Sequence, residues 1–149
     1  MKKIRILVLD DDPAARERIR ALVAGHADIE VIDRSGAARG ERLVIKSAGR
    51  LLFLRADDID WVEAAGNYVK LHVGAEEHLL RETLNGIELK LDPDRFFRIH
   101  RSRIVNMERI RELQPWFNGE YVVILGNGTK LTLSRGYREK LQERLGRRL

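Results

Sequence analysis

The stretch that most constrains the fold is Arg95-Phe96-Phe97-Arg98-Ile99-His100-Arg101-Ser102-Arg103-Ile104-Val105-Asn106, in which five apolar side chains are interleaved with four arginines, a histidine and an asparagine. In an extended segment successive side chains point to opposite faces. The stretch therefore reads as a strand with one face on a core and guanidinium groups on the other. Arginine and asparagine suit phosphates and base edges in shape and donor pattern. The same alternation also describes an ordinary amphipathic strand with a solvated basic face.

Charge separates these readings in part. The 149-residue chain has a net charge of +5, but residues 93–149 hold thirteen Lys/Arg against six Asp/Glu, whereas residues 41–92 hold seven against ten. A basic segment beside a near-neutral remainder is the footprint expected for a polyanionic partner. The absence of cysteine removes disulfides, zinc fingers and thiol chemistry. His26, His72, His78 and His100 lack metal-ligand spacing, so neither a metal site nor a cofactor is expected. No apolar run approaches the ~20 residues of a membrane span, and no secretory segment opens the chain. A soluble, cytoplasmic protein without a membrane partner is expected.

Residues 1–33 read as a β-α-β unit. Ile4–Leu9 is an apolar run broken by Arg5, as in a buried parallel strand, and it ends in Asp10-Asp11-Asp12-Pro13. Asp12 and Pro13 suit a helix start, Ala15, Ile19, Leu22 and Val23 recur at helical spacing, and Ile29–Ile32 forms a second strand. Residues 34–40, rich in small residues, read as a linker.

From residue 41 onward, strand and turn signals alternate. Leu43–Ile45 and Leu51–Leu54 flank Ala48-Gly49-Arg50 as a hairpin, and Asp57 and Asp58 read as solvated turn residues before a strand through Trp61 and Val62. Gly66-Asn67-Tyr68 heads a strand in which Val69, Leu71 and Val73 alternate with Lys70 and His72. Thr83 is placed to cap a helix bearing Leu84, Ile87 and Leu91, which Gly86 weakens by about 1 kcal/mol. Strands over Ile110–Trp116, Tyr121–Leu125 and Lys130–Leu133 follow, with an Asn127-Gly128 turn whose two central residues tolerate positive φ. Ser134 caps a last helix with Tyr137, Leu141 and Leu145 on its apolar face, and Gly146-Arg147-Arg148 reads as a basic frayed end.

Four blocks, "VEAAGNYVKLHV", "RETLNGIELKLDPD", "RFFRIHRSRIVN" and "LTLSRGYREKL", resemble in content and order the LytTR family of DNA-binding domains over residues 41–145. The resemblance implies a mainly β fold of small antiparallel sheets with short helices, reading the DNA major groove through loops. Its DNA contacts fall on Asn67 with Tyr68, on His100 with Arg101, and on Ser134 with Arg135. Arg101 and Arg135 are expected to read bases, while Arg98, Arg103, Asn106, Lys130 and Arg138 are assigned to phosphates. Arg103 stands where the family commonly carries an aromatic residue. Locally, Asn67 also reads as a turn residue, and His100 as a packed histidine donating to the backbone.

"RILVLDDDPAARERIRALV" resembles the opening of response-regulator receiver domains, in which an acidic pair, here Asp10 and Asp11, helps hold Mg²⁺. No third strand or acceptor aspartate fits before the linker, so a truncated receiver fragment without phosphorylation control is expected. The lone pair would bind a cation weakly and also reads as an acidic helix N-terminus. The implied function is non-enzymatic, sequence-specific transcription regulation on double-stranded DNA, with a homodimer on repeated sites. A competing reading makes the chain an interaction module that pairs with the receiver domain of an intact regulator. Asp10 and Asp12 also faintly resemble aspartate-nucleophile phosphatases, whose further lysine and carboxylates are missing.

Overall fold

A computed structural model describes residues 4–8, 17–18, 21–22, 24, 29–32, 42–47, 50–146 and 149. Asp10, Asp11, the linker 34–40 and Arg147-Arg148 lie outside the described residues. The described chain is mainly β, in three sheets.

The first sheet joins β1 (Ile4–Val8), β2 (Ile29–Ile32), β3 (Arg42–Ser47) and β4 (Arg50–Arg55) in the order β2-β1-β3-β4. β1 runs parallel to both β2 and β3, while β3 and β4 form the expected antiparallel hairpin, closing at Ser47↔Arg50. β1 is thus paired directly to the first strand of the following segment.

The central sheet has five antiparallel strands: β5 (Trp61–Ala65), β6 (Tyr68–Val73), β7 (Glu76–Leu80), β8 (Phe96–His100) and β9 (Arg103–Asn106), in the order β7-β6-β5-β9-β8. The strand expected over 95–106 is a hairpin: β8 and β9 pair antiparallel, turn at Arg101-Ser102, and shift register between Arg98 and His100. The central sheet has cores on both faces. Val62, Val69, Leu71, Phe96 and Ile104 pack with Leu43, Ile45 and the helix residues Leu84, Ile87 and Leu91. Ile99 and Val105 face the other way, onto Val123, Leu125, Leu131, Leu133 and Leu141. That second core lies under the third sheet, β10 (Ile110–Pro115), β11 (Tyr121–Leu125) and β12 (Lys130–Leu133), and under the last helix.

Helix α1 spans Leu84–Lys90, capped as expected: the Thr83 hydroxyl accepts from the Gly86 N–H at 2.9 Å. Gly86 also has a steric role. A Cβ there would stand 2.2 Å from Glu82 Oε1, a carboxylate held by the Thr83 N–H (2.8 Å) and Lys90 Nζ (2.9 Å).

Helix α2 spans Arg135–Leu145 with Ser134 at its N-cap position, although the Ser134 side chain makes no capping bond. Leu141 is fully buried and Tyr137 half-buried, but Leu145 is 41% exposed and leaves the expected apolar stripe. Gly146 closes the helix in the left-handed region (φ 66), and the Leu149 N–H donates to Gln142 Oε1 at 2.8 Å.

Two turn readings change. The 125–129 turn places only Gly128 at positive φ (91°), with its N–H on the Leu125 carbonyl at 2.9 Å. This fits a turn followed by a glycine bulge rather than a two-residue loop with both centres left-handed. Asp57 is not a solvated turn residue, since its carboxylate pairs with buried Arg95, which also meets Asp92 at 3.2 Å.

Candidate nucleic-acid interface

Two backbone hydrogen bonds assemble the site. The Ala64 N–H donates to the Ser102 carbonyl at 2.9 Å, which sets the β5–β6 turn beside the β8–β9 turn. The Ser134 N–H donates to the Ile99 carbonyl at 3.0 Å, which sets the start of α2 beside β8. Asn67-Tyr68, His100-Arg101 and Ser134-Arg135 thereby come to one edge of the central sheet from three separate connections. Gly66 (φ 65) supplies the left-handed residue that the tight β5–β6 turn needs, and the strands close at Ala65↔Tyr68. Asn67 is exposed and Tyr68 is 44% exposed.

The β8–β9 turn is held by side chains. Ser102 donates its N–H to His100 Nδ1 at 3.1 Å, and the Ser102 hydroxyl lies 2.9 Å from the same nitrogen. Because Nδ1 accepts, the ring proton of neutral His100 sits on Nε2. Burial lowers the His100 pKa from 6.5, and Arg103 and Arg101 lower it further, against an opposing pull from Glu120. The expected donation from this ring to the backbone is therefore reversed.

Arg98 bonds from below, donating to the carbonyls of His100 (3.3 Å) and Arg101 and to Asn85 Oδ1, with Glu88 at 3.8 Å. With these partners Arg98 braces the turn in the free chain. Arg101, at the tip, is exposed, and among the described residues its guanidinium has no partner. Arg135 is likewise exposed and unpartnered, its stem running along the backbone of Gly119.

Four further assignments divide. Arg103 is half-buried opposite Glu63 on β5, and its Nε lacks a partner among the described residues. Asn106 is 1% exposed: its amide donates to the Ile59 (2.9 Å) and Asp57 (3.3 Å) carbonyls, and its Oδ1 accepts from the Glu108 N–H. Asn106 cannot reach a phosphate; it staples β9 to the segment before β5. Arg138 donates to the Gly119 (3.4 Å) and Leu149 (2.8 Å) carbonyls and lies over the Tyr121 ring, so it too is engaged internally. Lys130 is exposed but opens β12, whereas Ser134 follows that strand's end. Four residues of strand, about 13 Å, separate it from the other blocks.

Sequence reasoning passed over the β10–β11 connection. Tyr121 pairs with Leu133, so residues 116–120 lie next to Ser134 and Arg135. Trp116 and Phe117 there are 58% and 68% exposed. The available signal was two adjacent aromatics, Trp116-Phe117, directly before Asn118-Gly119.

The geometry defines a class: a β scaffold presenting cationic and polar side chains from clustered turns. Comparison with known proteins gives the family. The family model of the LytTr DNA-binding domain matches residues 49–146, and the chain belongs to that family. It is 36% identical over 108 residues to the sensory transduction protein LytT of Enterococcus faecalis, covering 72% of this chain and 45% of that one. The LytT protein of Bacillus subtilis is 28% identical over 135 residues (91% and 56%), and the transcriptional regulatory protein LytR of Staphylococcus aureus is 29% identical over 116 (78% and 47%). The chain thus spans about half the length of the curated relatives it matches. A solved LytTr DNA-binding domain from Bacillus cereus superposes with a TM-score of 0.65 at 22% identity, covering 70% of this chain and 96% of that one, which shows a shared fold.

Proposed function

We propose that this chain is a sequence-specific transcription regulator that binds double-stranded DNA through loops in the major groove. The observation that carries the reading is the convergence of three turns on one edge with two guanidinium groups, Arg101 and Arg135, left without internal partners among the described residues. A bidentate arginine–guanine contact discriminates by roughly 1–3 kcal/mol, enough for two such residues to set a preferred sequence. Asn67, Tyr68, His100 and Ser134 complete the base-facing set, with Arg103 alongside.

Two protomers bind paired repeats in this reading, each through its own edge. Residues 1–33 are a receiver-like fragment with no place for a phosphoacceptor strand before the 34–40 linker, so binding is independent of phosphorylation. Selection from random duplexes tests the reading: wild type enriches a motif, and Arg101→Ala and Arg135→Ala each relax preference at distinct positions. Failure to enrich, or unchanged affinity and preference in both variants, removes it.

A further inference from the structure

We propose that the β10–β11 turn, residues 116–120, is a fourth contact with the duplex, its two aromatic side chains packing on deoxyribose groups beside the bases that Arg135 reads. The inference rests on the DNA-binding reading above and extends its footprint.

The turn is built to hold its side chains outward. The Trp116 N–H donates to the Glu120 carbonyl (2.9 Å), and the Glu120 N–H to the Phe117 carbonyl (3.0 Å). Between them Asn118 (φ 55) and Gly119 (φ 78) are both left-handed, a conformation that costs a non-glycine residue about 1 kcal/mol and persists only where the surroundings enforce it. Trp116 and Phe117 then meet edge to face, centroids 4.7 Å apart, with most of both rings in solvent. Large exposed apolar groups side by side mark a contact surface more often than an idle one.

Position and charge select the occupant. Arg135 Cδ lies 3.2 Å from where a Gly119 Cβ would stand, so the aromatic turn borders the unpartnered guanidinium. Arg138, donating to the Gly119 carbonyl, adds positive charge to the same border. An apolar pair flanked by cations matches the edge of a duplex, where apolar sugar faces alternate with phosphates. Aromatic rings are used on nucleic acids in this way, against sugars, base faces or opened steps.

The test compares wild type with the Trp116→Ala/Phe117→Ala double variant on a duplex carrying one selected half-site. The expected result is a loss of affinity on the order of tenfold, because apolar burial is removed, with an unchanged salt slope, because no charge is removed. The protected footprint should shorten on the Arg135 side. Wild-type emission should also change on titration with that duplex; of the chain's two tryptophans, Trp61 is stacked on His72, so the change reports Trp116. If wild type binds but the double variant binds equally well and emission is flat, the fourth contact is refuted while the DNA reading stands. Equal single-site affinity with lost cooperativity on two half-sites also refutes it, and assigns the pair to contact between copies. No motif with wild type at all removes both.

Discussion

His100 links the chemistry of the edge to its shape. Its Nδ1 accepts from Ser102, so the proton of the neutral ring sits on Nε2 as a donor. Burial and the neighbouring arginines favour the neutral form and hold the folded pKa below 6.5. The unfolded chain therefore takes up this proton at higher pH than the folded one. The stabilising contribution is complete above pH 6.5 and is lost as pH falls through the folded value. NMR titration of the free protein should give His100 a midpoint under 6.5 and an Nε2–H tautomer. A midpoint above 6.5 would mean that the arginines do not approach the ring as the structure has them. Asn106 offers a second test at this scale. Asn106→Ala strands two carbonyls and one N–H in a buried setting, a loss of about 2–4 kcal/mol by urea unfolding. A change below ~0.5 kcal/mol would deny it the role of a staple.

At the scale of elements, what the sequence disclosed depended on whether local chemistry or distant partners shape the turn. The β5–β6 connection carries Gly66, and the β11–β12 connection carries Gly126-Asn127-Gly128, so both hairpins were legible. The β8–β9 connection has no glycine or proline; it is made by His100, Ser102 and an arginine reaching across to Asn85. Periodicity therefore read one strand where two exist. The three blocks that family resemblance singles out are local in sequence, but their meeting on one edge depends on the Ala64–Ser102 and Ser134–Ile99 bonds, which span distant positions. Gly86 shows the same limit within a helix. Glycine to alanine in an open helix gains about 1 kcal/mol, but here the new methyl meets the Glu82 carboxylate. Gly86→Ala should instead destabilise by about 1–2 kcal/mol, as overpacking does. Combined with Glu82→Ala, its cost should fall, giving a coupling above about 0.5 kcal/mol in a thermal-denaturation double-mutant cycle. Additive effects would mean that the carboxylate swings aside freely.

For the molecule as a whole, the useful quantity is how many cations are free to meet a duplex. Residues 93–149 carry thirteen Lys/Arg, and sequence alone assigned five side chains to phosphates. The fold reduces that set. Arg98 braces a turn, Arg138 bonds two carbonyls, Asn106 is buried, and Lys130 opens a strand whose far end leads to Ser134. Arg101, Arg103 and Arg135 remain at the edge. Arg101 and Arg135 are given to bases, so Arg103 alone is left of the phosphate set, and one neutralised phosphate gives a log–log salt slope of about −0.9 per half-site, against about −4 to −5 for five. Anisotropy titrations between 50 and 200 mM salt on a single half-site resolve that difference. Arg98→Ala separates the two cases further. As a brace, Arg98 should be missed in stability and leave the slope unchanged; as a phosphate contact, its loss would flatten the slope by about 0.9. A wild-type slope near −5 together with that flattening would mean that binding pulls Arg98 off Asn85 and the Arg101 carbonyl, and that the edge rearranges on DNA instead of arriving preformed.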